Sequence, residues 1–282
     1  MHIQSTRTAV SRKMDKKLSH QNGLSMIELL VALALSCFLL LGVSQLFIDS
    51  RYNYFFQQGQ ASNQENSRFT LLLLEQQLVK AGYRRLADTP MENAFPKADP
   101  AGGCSAFIAG QVITPATGDR GICLRYQAAT VGESDCLGNL IPGTPGKSFD
   151  KVPSDITKTY RITFTPGTGK SAGSLQCGGQ ELVAGIEDIN ISYGVGPKGK
   201  RSVESFTETP TADQVVRGVR FSVLASSGEA DLRKGVGEGV DSKAKADWIT
   251  YYGGNKAALD AKEHGQLLLI GQGAQTLRNM MP

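Results

Sequence analysis

The sequence has few of the side chains on which enzymes and metal sites usually depend. Only three of its 282 residues are histidine, and His2 and His20 both lie in the basic first 23 residues. A Ser-His-Asp site would therefore have to use His264. The cysteines of the C-terminal part are separated by at least 12 residues, whereas zinc sites use close pairs. We predict that the protein is not an enzyme and has no cofactor or metal.

Charge is nearly absent between residues 24 and 48, where Glu28 is the only charged side chain. Residues 1–23 hold five Lys or Arg and one Asp, which accounts for the whole net charge of +4. Removing them from the totals of 30 basic and 26 acidic residues leaves 25 of each in residues 24–282. A balanced chain has no basic surface excess for nucleic acid, so we predict no nucleic-acid partner.

The stretch Leu24–Ile48 is predicted to be a helix that spans a membrane. Its 25 residues would extend about 37 Å, which exceeds the hydrocarbon thickness of about 30 Å. Basic residues before a span stay in the cytoplasm, so the C-terminal part would lie outside. A cleaved secretory signal would have a shorter apolar core. The apolar run beyond Cys37 argues against a lipoprotein cut at that residue.

The absence of proline from residues 49–83 predicts that the helix continues beyond the span. We predict one helix from about Leu24 to Ala81, apolar on all sides in residues 24–48 and amphipathic in residues 49–83. Gly59 could allow a local bend, and Gly82 suits a helix C-terminus. The residues that recur at helical spacing are Leu71, Leu74, Leu78 and Ala81.

From residue 84 onward, turns rich in glycine and proline separate stretches of alternating hydrophobicity, which is typical of half-buried antiparallel strands. The predicted strands are Ile122–Gln127, Tyr160–Thr165, Ile189–Tyr193, Val219–Val223, Gln266–Ile270 and Gln275–Asn279. Predicted loops cover 142–153, 166–179 and 194–208, and predicted short helices cover 243–248 and 256–262. The fold class is α+β, with the long N-terminal helix packed on the antiparallel β-sheet of a head, residues 84–282.

Four cysteines lie in the head, and an even number in an extracytoplasmic domain predicts two disulfides. Four cysteines allow three pairings. We favour Cys104–Cys123 and Cys136–Cys177, because each closes a hairpin-like segment. Cys37 is interpreted as a small apolar residue of the span.

Two other features have both a functional and a structural interpretation. Residues Phe164–Ser171 approach a phosphate-binding loop but have Phe164 where the first glycine belongs, and a turn follows where a helix is required. We interpret them as a hairpin turn. Trp248, Tyr251 and Tyr252 lie close together and belong either to the core or to a protein contact.

The N-terminal segment resembles the class III signal of type IV pilins and pseudopilins, which reads Gly followed by Phe-Thr-Leu-Ile-Glu. Gly23, Ile27 and Glu28 match this signal, whereas Leu24 and Met26 replace its Phe and Leu. The resemblance implies that residues 1–23 are a leader. A prepilin peptidase would cut after Gly23 and methylate the amine of Leu24. Glu28 would then guide subunit assembly.

The chain as a whole resembles the PilW-type minor pilins. This implies a structural subunit of a type IV pilus or its priming complex, which contacts other minor and major pilins through its N-terminal helix. It would cross the inner membrane once, with its head in the periplasm, and later reach the pilus at the cell surface. The matching segments are Glu75–Tyr83, Leu124–Tyr126, Asp135–Asn139, Leu182–Tyr193, Val216–Val223 and Leu277–Asn279.

Two alternatives share the N-terminal features. A pseudopilin of a type II secretion system has the same signal and helix, and only the head favours the pilus. A single-pass anchored binding domain would never polymerise, and its Glu28 would have no partner.

Overall fold

The structure is a computed structural model that describes residues 23, 25–118, 120–147, 150, 157–200, 202–229, 232–233 and 242–280. Residues 1–22 of the predicted leader, and Leu24 after it, therefore lie outside the described residues. The chain divides into two compact units, Met1–Arg51 and Tyr52–Pro282. The predicted division at residues 48 and 49 stays a prediction.

The N-terminal helix, α1, runs from Met26 to Lys80, close to the predicted bounds. Every described residue up to Arg51 is exposed, so the part of α1 in the first unit has no packed face. The part in the second unit is amphipathic, because its buried residues recur every three or four positions. They are Gly59, Asn63, Ser67, Thr70, Leu74, Gln77 and Leu78.

Gly59 does not interrupt α1, and a local bend there stays a prediction. The helix is continuous there, and a Cβ on Gly59 would lie 3.3 Å from the Cβ of Ser227 and closer still to the side chain of Leu232. Two hydrogen bonds hold the same helix face to the head. Asn63 Nδ2 donates to the carbonyl of Leu267 at 3.0 Å, and the Tyr52 hydroxyl donates to the carbonyl of Leu232 at 2.6 Å.

The described strands of the head form one antiparallel sheet in the order β1-β2-β3-β4-β5-β7-β8, with β6 paired to β5. The strands are β1 Ile113–Pro115, β2 Gly121–Gln127, β3 Thr157–Thr165, β4 Gly173–Cys177, β5 Gln180–Pro197, β6 Ser205–Thr207, β7 Gln214–Ser226 and β8 Leu268–Thr276. The other helices are α2 Met91–Ala94, α3 Lys243–Tyr252 and α4 Lys256–Ala261, and a 3₁₀ turn covers Arg278–Met280. This architecture confirms the predicted fold class.

Several predicted boundaries in the sheet are wrong. The predicted loop 166–179 contains β4, and the predicted loop 194–208 contains the end of β5 and all of β6. The two strands predicted at 266–270 and 275–279 are the single strand β8 followed by the 3₁₀ turn. Much of the predicted loop 142–153 lies outside the described residues.

The sheet has apolar contacts on both faces. Alternate residues of β7, including Val219, Phe221 and Val223, belong to the main core together with Leu74 and Leu78 of α1. Leu224, which follows Val223, faces the opposite side of the sheet, where it packs with Trp248 of α3 and Leu259 of α4. The second unit therefore has a helix, a sheet and a helical pair in successive layers.

Both favoured disulfides are present. Cys104–Cys123 joins the segment before β1 to β2, with 5.8 Å between the Cα atoms. Cys136–Cys177 joins the loop after β2 to β4, with 6.3 Å between the Cα atoms. The two disulfides fix long loops to β2 and β4, which both lie in one half of the sheet.

Candidate assembly segment

The candidate site is the start of α1, where the sequence predicts cleavage and subunit pairing. Gly23 is exposed and precedes the helix, and Leu24 lies outside the described residues. The amide of Leu29 donates to the carbonyl of Ser25 at 3.1 Å, which starts the helical hydrogen bonding. Glu28 lies in the first turn of α1 and is exposed. A carboxylate is favoured in this position because it faces the positive end of the helix dipole.

The side chains that follow Glu28 expose a continuous apolar surface. Fifteen large apolar side chains between Met26 and Ile48 are more than half exposed, among them Met26 and Phe38 at 86% and 79%. Among the described helices, α1 is long and apolar enough to cross a membrane. Such a surface is unfavourable in water, because burying one Leu or Ile side chain is worth about 1.5–3 kcal/mol.

The polar groups near the apolar segment are largely satisfied within α1. The Ser36 hydroxyl donates to the carbonyl of Ala32 at 2.7 Å, and Gln45 Nε2 donates to Asp49 Oδ1 at 3.3 Å. The Arg51 guanidinium lies 5.2 Å from the Phe47 ring centre. Glu28, by contrast, has no ion-pair partner among the described residues. The Glu28 carboxylate is therefore exposed and outside the ion pairs of the described residues.

In the head, the segment Gly185–Asp188 forms an irregularity of strand β5. Gly185 has a φ of +78°, which favours glycine, and the pairing with β7 shifts between Ile186 and Asp188. The shift makes Glu187 the bulged residue. The geometry of this segment gives it a structural role in the sheet.

Asp188 connects three parts of the head through its carboxylate. Its Oδ1 accepts from Arg120 Nη1 at 2.5 Å, and its Oδ2 accepts from Trp248 Nε1 at 2.9 Å. Trp248 is fully buried, whereas Tyr251 is 74% exposed. The aromatic cluster of the sequence thus divides into a core residue and a surface residue. No local sequence pattern links Asp188 to Trp248, because 60 positions separate them.

Glu187 is a second buried carboxylate that sequence reasoning did not single out. Its side chain is 1% exposed, and its nearest cation is Lys262, with Nζ 3.7 Å from Oε2. Burial raises the pKa of Glu187 because it removes water from the charged form, and the charge of Lys262 offsets part of this effect.

Phe164 and Thr165 end strand β3, and residues 166–171 lie in the predicted hairpin turn that leads to β4. The same turn contains Gly-Lys-Ser-Ala-Gly at 169–173, which has the Gly-x-Ser-x-Gly pattern of a nucleophile elbow. An elbow requires a helix after the serine, whereas β4 follows here. His264 is half-buried, and its Nδ1 lies 2.7 Å from the carbonyl oxygen of Lys262.

Comparisons with known proteins find a family that matches the N-terminal segment and a similar solved structure. Residues 18–44 match the family described as the prokaryotic N-terminal methylation motif. A type IV-like pilin from Thermus thermophilus is similar at 14% identity and a TM-score of 0.35, over 77% of this chain and 97% of that one. No curated protein is a significant match. The chain therefore carries a methylation motif that includes Gly23 and Glu28.

Proposed function

We propose that the protein is a pilin-class structural subunit, and within that class a minor pilin of a type IV pilus or its priming complex. The matched methylation motif carries this proposal, because residues 18–44 contain the cleavage position, the assembly carboxylate and the start of an exposed apolar helix. The antiparallel head after the helix is consistent with the order of elements in a pilin. The finer assignment as PilW-type rests on the resemblance of the head segments.

The proposed processing creates the charge that Glu28 needs. A prepilin peptidase cuts after Gly23 and methylates the new amine of Leu24, so that each subunit has one positive and one negative group at the start of its apolar helix. A carboxylate in hydrocarbon costs about 2.5–3.5 kcal/mol. Pairing the amine of one subunit with Glu28 of its neighbour removes this cost from both groups and fixes their axial register.

The same arrangement accounts for the proposed location. The basic residues 1–23 keep the N-terminus in the cytoplasm, and the apolar part of α1 crosses the inner membrane. The head, with its two disulfides, lies in the periplasm before assembly, where such bonds form. Other pilins then replace lipid around the apolar helix in the filament.

The first test is the N-terminal mass of the membrane-embedded protein, in cells with and without the prepilin peptidase. We expect a chain that begins at methylated Leu24 only where the peptidase is present. An intact Met1 terminus in both cells would contradict the proposal and favour an anchored domain.

The second test replaces the assembly carboxylate. Glu28→Ala is expected to leave cleavage largely unchanged and to reduce incorporation into sheared pili about tenfold or more, because an unpaired amine remains in the apolar core. Glu65→Ala removes an exposed carboxylate from the same helix, outside the apolar segment, and serves as the matched control. Equal incorporation of both variants would refute the proposed role of Glu28.

A secretion pseudopilin remains the second candidate, because the matched motif also fits that class. Deleting the gene separates the two. Loss of twitching with normal secretion supports the pilus, whereas loss of secretion with normal twitching supports the pseudopilus.

A further inference from the structure

An open cavity of about 430 Å³ lies in the head, beside the start of β7 and the 3₁₀ turn Arg278–Met280. Its size is within the range of about 300–1,000 Å³ that is typical of small-molecule sites. Much of its wall is apolar. The apolar side chains are Met91, Ile108, Val112, Ile113, Val216 and Met280.

Three basic side chains line the same cavity, namely Arg84, Lys198 and Arg217. Among the lining residues that the structure describes, Glu92 is the only acidic one, and it is exposed. Arg84 and Lys198 have no carboxylate within 4.0 Å among the described residues, and Arg84 Nη1 donates to the carbonyl of Thr89 at 2.6 Å. The cavity therefore combines an apolar wall with an excess of positive charge.

Arg217 is the buried member of this group, at 2% exposure. Its Nη2 donates to the carbonyl of Pro197 at 2.9 Å, and its Nη1 lies 3.4 Å from the carbonyl of Val215. Its Nε is buried without a hydrogen-bond partner, and no carboxylate lies within 4.0 Å of it among the described residues. A buried cation without a counter-ion is costly, so an anion is expected to bind there.

Arg125 shows that the head is able to satisfy a buried arginine without an anion. Its guanidinium donates from Nε, Nη1 and Nη2 to four carbonyl groups, and it lies 4.3 Å from the ring centre of Phe107. Arg217 has two carbonyl partners, has an Nε without a hydrogen-bond partner and belongs to the lining of a cavity large enough for a ligand. The difference points to a binding role for Arg217.

We propose that this cavity binds the carboxylate of a small organic anion whose apolar body contacts the apolar wall. The guanidinium of Arg217 holds the carboxylate through charge-assisted hydrogen bonds. Arg84 and Lys198 add favourable charge at longer range. The volume and the apolar lining select a body of roughly benzoate size or larger over a bare inorganic anion. This site is independent of the N-terminal segment on which the proposed function rests.

The test uses the processed full chain in phosphatidylcholine nanodiscs and fluorine NMR of para-fluorobenzoate. The uncharged para-fluorobenzamide has nearly the same shape, and inorganic phosphate provides a negative charge without an apolar body. We expect saturable binding of the benzoate, no comparable binding of the amide, and weak competition by phosphate. Equal binding of benzoate and amide, or no binding of benzoate, would overturn the proposal. Strong competition by phosphate would overturn the role of the apolar wall.

Variants then locate the binding. Arg217→Gln is expected to weaken benzoate binding at least about tenfold, because a charge-assisted hydrogen bond is lost. Arg220→Gln removes a positive charge from the same strand outside the cavity lining and is expected to leave binding unchanged. If Arg217→Gln does not fold, Lys198→Gln tests the cavity in its place. Lys198 is exposed, and its loss is expected to weaken benzoate binding about threefold. Unchanged binding in the folded cavity variant would assign the benzoate to another place.

Discussion

Arg125 holds a long irregular segment against the sheet. Its Nη1 donates to the carbonyl of Pro96 at 2.7 Å, and its Nε donates to that of Gln111 at 3.1 Å. The guanidinium also stacks on Phe107 at 4.3 Å. Burial lowers the pKa of Arg125 to about 10, because the charged form loses water. One side chain thus connects β2 to several turns that have no strand of their own.

Arg125→Met is expected to lower the free energy of unfolding by about 3 kcal/mol or more, because several buried carbonyl groups lose their donor. Arg220→Met is the matched control, since Arg220 is exposed and its guanidinium lies 4.0 Å from the Phe206 ring centre. Its expected cost is below about 1 kcal/mol. Urea unfolding of the full chain in detergent measures both, with Trp248, the only tryptophan, as the fluorescent reporter. Equal costs would contradict this role of Arg125.

Glu187 predicts a pH dependence of stability. Its pKa is raised in the folded state by burial, so the folded protein binds its proton more tightly than the unfolded chain does. The stabilisation that protonated Glu187 contributes is therefore complete below the ordinary glutamate pKa. It is lost as the pH rises through the higher folded-state pKa. Glu187→Gln should remove this decline, measured as urea unfolding between roughly pH 4 and pH 8. Glu204→Gln, in an exposed pair with Lys200, should retain it. A decline that persists in Glu187→Gln would assign it elsewhere.

At the scale of elements, periodic patterns predicted structure well and isolated residues did not. The face of α1 with Leu74 and Leu78 was predictable because both lie on one helical repeat, and β2 was predictable because its hydrophobic residues alternate. Strand β4 reads Gly-Ser-Leu-Gln-Cys and has one large apolar side chain, so its pairing partners define it. The contact of Asp188 with Trp248, like the cavity at Arg217, depends on tertiary structure and has no local signal.

The candidate assembly segment could be proposed from the sequence because its residues are close together along the chain. Gly23 and Glu28 lie within six positions and are followed by an uncharged run, a pattern that needs no tertiary contact. The roles of Gly23, Leu24 and Glu28 stay predictions until processing and assembly are measured. The disulfide pairing was favoured on hairpin-like closure, and the sheet places both pairs at bonding distance.

The two disulfides should differ in their contribution to stability. They close loops with separations of 19 and 41 residues, which correspond to about 3 and about 4 kcal/mol of unfolded-state entropy. Replacing Cys136 and Cys177 together by Ala is therefore expected to destabilise the head somewhat more than replacing Cys104 and Cys123. Cys37→Ala, in the exposed part of α1, is the control and should have no effect. Urea unfolding followed by Trp248 fluorescence measures all three, and the reverse order would show that local packing outweighs loop length.

At the scale of the whole molecule, the exposed apolar surface and the folded core lie in different parts of the chain. The apolar surface of residues 26–48 is exposed and has no cover among the described residues, and covering it with lipid or another apolar surface would be favourable. The main core lies entirely within Tyr52–Pro282 and includes the packed face of α1. Membrane insertion and head folding consequently depend on different residues.

A fragment that begins at Tyr52 is therefore expected to fold alone as a water-soluble monomer, with a urea midpoint close to that of the full chain in detergent. The reason is that residues 25–51 are exposed and contribute nothing to the core. A shorter fragment that begins at Phe69 is the matched comparison. It loses Gly59, the Asn63 hydrogen bond to Leu267 and the buried Ser67, so it should be less stable by at least about 1 kcal/mol. Equal midpoints for the two fragments would show that residues 52–68 add nothing to the head, whereas an unfolded Tyr52 fragment would show that the head requires the apolar helix.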